Sequence, residues 1–125
     1  MKTLILAGLS AGALIALAAP ASAADAAHGQ ELFRSQCGVC HTAGDGDGAG
    51  GTGPDLKGVV GRKVGGDPNF AYTQTLTDDK AMWTQESLST FLADPQKAKP
   101  GTAMPISVKS DSDRADMVAY LATVK

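Results

Sequence analysis

The sequence turns on "CGVCH", residues 37–41, where two thiols stand two residues apart and an imidazole follows at once. Three chemistries fit such a cluster. The thiols can bond each other, they can hold a metal together with imidazoles, or they can be consumed in attaching a prosthetic group. Each would make a different protein, and the rest of the chain bears on the choice.

Upstream of the cluster the chain begins as an address. Lys2 precedes the apolar run "LILAGLSAGALIALAA", residues 4–19, and Pro20 and the small residues "ASA", 21–23, follow. That order is the form of a cleaved secretory signal, with the cut expected after Ala23 or Ala24. Residues 1–23 are therefore read as a signal peptide and 24–125 as one domain. A retained membrane anchor is the competing reading, but the run is at the short end for spanning a bilayer and closes in a cleavage pattern. On a bacterial source, export places the domain in the periplasm. Without Lys2 the domain has ten basic against thirteen acidic side chains. This mild acidity argues against nucleic acid or an anionic membrane surface as partner. Aromatic residues make up only 5% of the chain and glycines number 15, so the side-chain core is small for the length. A small exported domain of this kind needs a staple, and one CxxC pair closes too short a loop to supply it.

Downstream, the apolar spacing predicts an all-α domain of three helices joined by long loops. The first covers about 26–36, with Leu32 and Phe33 three and four residues after Gly29. The second covers about 85–93, with Leu88, Phe91 and Leu92 on one face, Thr84 at its start and Pro95 to stop it. The third covers about 111–123, capped by Ser110 with Asp113 as an acidic form of the capping box, and buries Met117, Val118, Leu121 and Val124. A short helical turn is expected near 73–77. Glycine- and proline-rich stretches at 43–56, 60–70 and 97–108 read as loops, and no strand pattern of any length appears. In the first of these, Asp45 and Asp47 lack the later acidic ligand of a calcium loop and read as a flexible turn.

These surroundings weigh on the three chemistries. A redox CxxC normally stands beside a βαβ pattern, and no strand precedes this one. Cys37, Cys40, His41 and His28 form a permitted zinc donor set, but adjacent Cys40 and His41 suit a tetrahedral centre poorly. C-x-x-C-H is also the attachment signature of c-type haem: the thiols add across two vinyl groups as thioethers, and the histidine is presented to the iron. Export agrees with that chemistry, and a buried porphyrin supplies the missing apolar volume.

An iron with one histidine takes a second axial partner or keeps an open site, and this choice separates electron transfer from ligand chemistry. Met117 reads as core and Met82 as packing beside Trp83. Met104 stands in "PGTAMP", 100–105, a stiff loop presenting one thioether between a Pro-Gly turn and a second proline. His28 is a competing ligand in principle, but lies too close to Cys37 in sequence to reach the far face easily.

With "CGVCH", "TGPDL", "GRKVG", "WTQESLSTFLADP", "KPGTAMP" and "RADMVAYL" in this order and spacing, the chain from about residue 29 to 121 resembles class I cytochrome c. The resemblance implies the small cytochrome c fold, with helices and long loops wrapped around one haem c held through Cys37 and Cys40. It implies His41 and Met104 as axial ligands. Pro54 would then accept a hydrogen bond from the histidine, Tyr72 and Trp83 would hold a haem propionate, and Arg62 would help neutralise it. Gly29, Phe33 and Tyr120 match the crossing of first and last helices. The implied role is a soluble monomeric carrier of single electrons between redox proteins that dock transiently, with no enzymatic acid/base or nucleophile constellation. Two rivals remain: a peroxidase or gas binder with a labile sixth ligand, and a carrier anchored by an uncleaved N-terminus. The chain departs from the family at Phe91, often tyrosine, and at Leu76, often asparagine. The family's lysine-rich docking face is also thinned to Lys97 and Lys99, with Lys57 and Lys63 possible.

Overall fold

The computed structural model describes residues 22–44 and 46–125. Most of the expected signal, 1–21, and Asp45 lie outside the described residues. Among the residues described, five helices follow in order: α1 Ala26–Leu32, α2 Gln74–Thr77, α3 Gln85–Ala93, α4 Pro95–Ala98 and α5 Asp111–Thr123. Strand pairing among them is limited to two isolated bridges, Ala43 with Asp47 and Lys63 with Met82. No helix there is long and apolar enough to cross a membrane.

The frame is the crossing of α1 and α5. A Cβ at Gly29 would lie 2.0 Å from the Asp116 carbonyl oxygen, so only glycine lets the two backbones approach this closely. One turn on, the rings of Phe33 and Tyr120 meet at 5.6 Å between centroids. Asp25 opens α1 by accepting from the Ala27 and His28 N–H groups. His28 is exposed and bonds the Asp116 carboxylate at 2.8 Å, which ties the start of α1 to α5. Its partner and the facing carboxylates raise its pKa, the Asp116 bond contributing most.

Helix α1 does not run regularly to residue 36. It widens into a π-helical turn at Phe33–Cys37, closed by the Gly38 N–H donating to the Phe33 carbonyl at 2.8 Å. π turns recur at functional sites because the extra residue re-aims the chain beyond it. Here it delivers Cys37 to the interior, 8% exposed, with its thiol on the Met117 sulfur at 3.5 Å.

Three smaller expectations are also corrected. Thr84 and Ser87 form a complete reciprocal capping box on α3, whereas at α5 Ser110 caps Asp113 N–H alone. Pro95 does stop α3, but Asp94 leaves the helical region and caps a new turn, α4, with proline at the first position, where its missing N–H costs nothing. Met82 is 53% exposed rather than packed.

The loop after the cysteines is the largest correction. Asp47 is no part of a flexible turn: it is 6% exposed and accepts from Gln30 Nε2 at 2.7 Å, Arg34 Nε at 2.7 Å and the Tyr120 hydroxyl. One buried carboxylate thus pins the loop to both α1 and α5. Gln30 and Tyr120, with Arg34 beside them, hold its pKa down to about 2. Gly48 follows at φ +85°, and a Cβ there would lie 2.0 Å from the His41 carbonyl oxygen, so the loop can close over the cysteine segment only with glycine.

Candidate haem site

Between the α1–α5 frame, α3 and the long loops lies a mostly apolar cleft. Cys37, Cys40, His41, Pro54, Arg62, Tyr72, Trp83 and Met104 all line it. Sequence regions separated by more than sixty residues therefore meet around one space. His28 does not line it and belongs to the α1–α5 junction.

The cysteine–histidine segment leaves the π turn as a tight bend. The N–H groups of Cys40 and His41 both donate to the Cys37 carbonyl at 3.0 Å. The following loop is stitched back by Gly53 N–H to the Cys40 carbonyl at 2.8 Å and Leu56 N–H to the Thr42 carbonyl at 2.7 Å. Both thiols are free, Cys37 buried and Cys40 half-buried. Burial, with the neighbouring Cys40 adding, pushes the Cys37 thiol up to about 11. A thiol so protonated is poorly suited to redox exchange, which needs thiolate.

His41 is fixed through one nitrogen. Its Nδ1 lies 2.8 Å from the Pro54 carbonyl oxygen. A carbonyl only accepts, so the proton is on Nδ1 and Nε2 keeps its lone pair for a metal. A Cβ at Gly53 would sit 2.3 Å from the His41 ring, so glycine there is what lets the ring pack flat against the loop. Sequence reading passed over Gly53, although "TGP" held the signal.

Met104 reaches the cleft on a braced loop. Gly101, at φ +91°, completes the Pro100-Gly101 turn. Thr75 donates to the Pro100 carbonyl at 2.8 Å, and Gln96 Nε2 donates to the carbonyls of Thr102 at 2.8 Å and Met104 at 3.2 Å. Neither Thr75 nor Gln96 belongs to a recognisable motif; only the fold brings them to the loop. Phe91 and Leu76 line the same cleft, and Phe91 packs on Trp83 at 5.1 Å between centroids.

At the other end the polar groups gather. Arg62 donates to the carbonyls of Lys57 at 3.1 Å and Asp55 at 2.7 Å, yet its Nε is buried without a partner among the described residues, as is the Thr73 hydroxyl. The Tyr72 hydroxyl accepts from the Asp67 N–H at 3.2 Å, which leaves its own proton to donate. Buried donors without acceptors cost about 1–3 kcal/mol each. They fit a ligand that is apolar over most of its surface and carries anionic oxygens at one end. Haem, with two propionates on one edge, has that form, and the free thiols and the Nε2 lone pair complete the donor set.

The comparisons agree with this chemistry. The family model described as Cytochrome c matches residues 26–125. The chain is 41% identical over 102 residues to cytochrome c of Euglena viridis, covering 81% of this chain and 98% of that one. It is 36% identical over 124 residues to cytochrome c2 of Rhodomicrobium vannielii, covering 98% and 97%. Among solved structures it superimposes on cytochrome cH from Methylobacterium extorquens with a TM-score of 0.70 at 39% identity, covering 79% of this chain and 98% of that one. This chain therefore belongs to the cytochrome c family, as a helical, non-enzymatic electron carrier with covalently bound haem c.

Proposed function

We propose that the chain is exported to a bacterial periplasm, loses residues 1–23, and works there as a soluble, monomeric, one-haem carrier whose iron His41 and Met104 would hold. The observation that carries this reading is the cleft itself. An imidazole with its Nε2 lone pair free and a thioether on a braced loop line the same space as two free thiols. The match of the family model from residue 26 supports a separate leader, and the bacterial relatives support the compartment.

Bound there, haem supplies a reversible one-electron change between Fe(III) and Fe(II). The rest is the work of the chain. Pro54 holds the His41 ring in one orientation and, by accepting the hydrogen bond from its Nδ1–H, makes the ring more electron-donating. Gln96 and Thr75 hold the Met104 loop, so the ligand set changes little between oxidation states. A thioether favours the reduced ion, and such a pair gives a fairly high potential. Arg62, Thr73, Tyr72 and Trp83 would hold the propionate edge. Phe33, Leu88, Phe91, Leu92 and Met117 keep water from the interior.

The test is to produce the full chain in a bacterial host competent for haem attachment. A periplasmic product starting at Ala24 or Asp25, heavier than its polypeptide by one haem and with no titratable thiol, is expected to cycle reversibly by one electron. Colourless periplasmic protein with two free thiols would sink the reading.

A further inference from the structure

We propose that the mouth of the cleft docks a redox protein whose own electron port is framed by uncharged, largely apolar side chains. This rests on the carrier reading above and names the partner of the same site. The observation is the make-up of the rim. The exposed residues lining the cleft are Gln36, Thr52, Ala71, Ala103, Pro105 and Ile106, and none carries a charge. Val39, between the two haem-binding cysteines, is 74% exposed and Ile106 47% exposed. Ile106 lines the opening itself, and Val39 stands between two lining residues, Cys37 and Cys40, without lining it.

No lysine lines the cleft, and Arg62 is its one charged lining residue with a basic side chain. Lys57, Lys63, Lys97 and Lys99 do not line the cleft. Lys99, next to the methionine loop, is bound by Asp79 and lies over the Trp83 ring at 5.7 Å. Arg34, near the cysteines, is held by Asp47, and Arg62 sits at the polar end with its guanidinium on backbone carbonyls. A partner presenting carboxylates or lysines to this rim would lose their hydration and meet no counter-charge, which is a net cost. An apolar port meets no such cost and gains by excluding water. The charge-poor centre of a docking patch is the usual composition of a protein contact. Complexes of this type form by apolar contact with little long-range steering, so they are weakly sensitive to salt.

A second copy of the chain is the probe, because by symmetry it presents an uncharged port. Electron self-exchange between reduced and oxidised haem-loaded protein is measured by NMR line broadening from about 20 mM to about 500 mM salt. The rate is expected to rise less than about tenfold, the domain's mild net acidity accounting for the rise. Ile106→Lys and Thr52→Lys are each expected to slow exchange about tenfold at low salt and to recover as salt is added, with unchanged visible spectra. A rise of more than about a hundredfold in the unaltered protein, or lysine variants that exchange at its rate at low salt, would overturn the proposal. So would a stable dimer in sedimentation, which would put a second copy permanently on the face. Protein that loads haem and cycles reversibly but does not self-exchange at any salt overturns the docking proposal alone. Protein that cannot cycle overturns the carrier reading and this proposal with it.

Discussion

Replacing Gly53 by alanine isolates the contact on which the histidine's orientation depends. The added Cβ would stand 2.3 Å from Cε1, 2.6 Å from Nδ1 and 2.8 Å from Nε2 of His41, where ordinary contact begins at 3.4 Å. The deficit at Cε1 is about 1.1 Å. The ring cannot absorb it cheaply, because Nδ1 is bonded to the Pro54 carbonyl at 2.8 Å. The loop cannot absorb it either without pulling the Gly53 N–H from the Cys40 carbonyl, also at 2.8 Å, and moving Pro54. Overpacking costs about 1–3 kcal/mol and a lost hydrogen bond about 1 kcal/mol, so the expected loss is about 2–4 kcal/mol. The potential should rise, because an imidazole without its Nδ1 acceptor donates less and holds Fe(III) less well. Denaturant unfolding of the haem-loaded protein followed in the Soret band gives the first quantity, and a redox titration gives the second. Gly51→Ala is the control. Its φ of +96° makes alanine strained, but nothing lies within 4 Å, so about 1–2 kcal/mol and no change in potential are expected. Equal effects from the two substitutions would refute the idea that Gly53 acts through the His41 ring.

The Asp47 carboxylate is held down to about 2 against an ordinary 3.8, so it is more acidic folded than unfolded. Its contribution of about 2 kcal/mol is present above pH 4 and is lost as pH falls toward 2; acid titration of Asp47→Asn should lack that part of the decline. Gln96→Ala removes both donations to the Met104 loop. At about 1.4 kcal/mol for the pair, imidazole should bind the oxidised protein about tenfold more readily by optical titration, and an unchanged affinity would mean the loop is held by other contacts. Phe91→Tyr brings a hydroxyl into the cleft that Met104 also lines. If the hydroxyl stabilises the oxidised state by about 1 kcal/mol, the potential falls by about 40 mV; a potential that stays or rises contradicts the reading that the apolar Phe91, by keeping the pocket dry, holds the potential up.

Legibility in the sequence followed the range of the interactions. Helices α3 and α5 were readable to the residue because local apolar spacing and an adjacent cap define each of them. The eight residues expected at the site come from an attachment signature and ordered family motifs, and one cleft is lined by all eight. What escaped was set by distant partners. Asp47 looks like a turn residue until Gln30, Arg34 and Tyr120 close on it from two helices. The π turn has no spacing of its own, since residues 33–37 continue the apolar face of α1 while the backbone widens. Gln96 reads as an ordinary surface residue just past a proline, and only the return of the chain at 102–104 gives its amide something to hold.

The most direct test of the central claim is the near-infrared absorption of the oxidised, haem-loaded protein, measured beside Met104→Ala. A thioether on the iron opposite the imidazole is expected to give a weak sulfur-to-iron charge-transfer band in the unaltered protein and none in the variant. A high-spin spectrum without that band in the unaltered protein, or a band that survives in Met104→Ala, would contradict the assignment of Met104 as the sixth ligand.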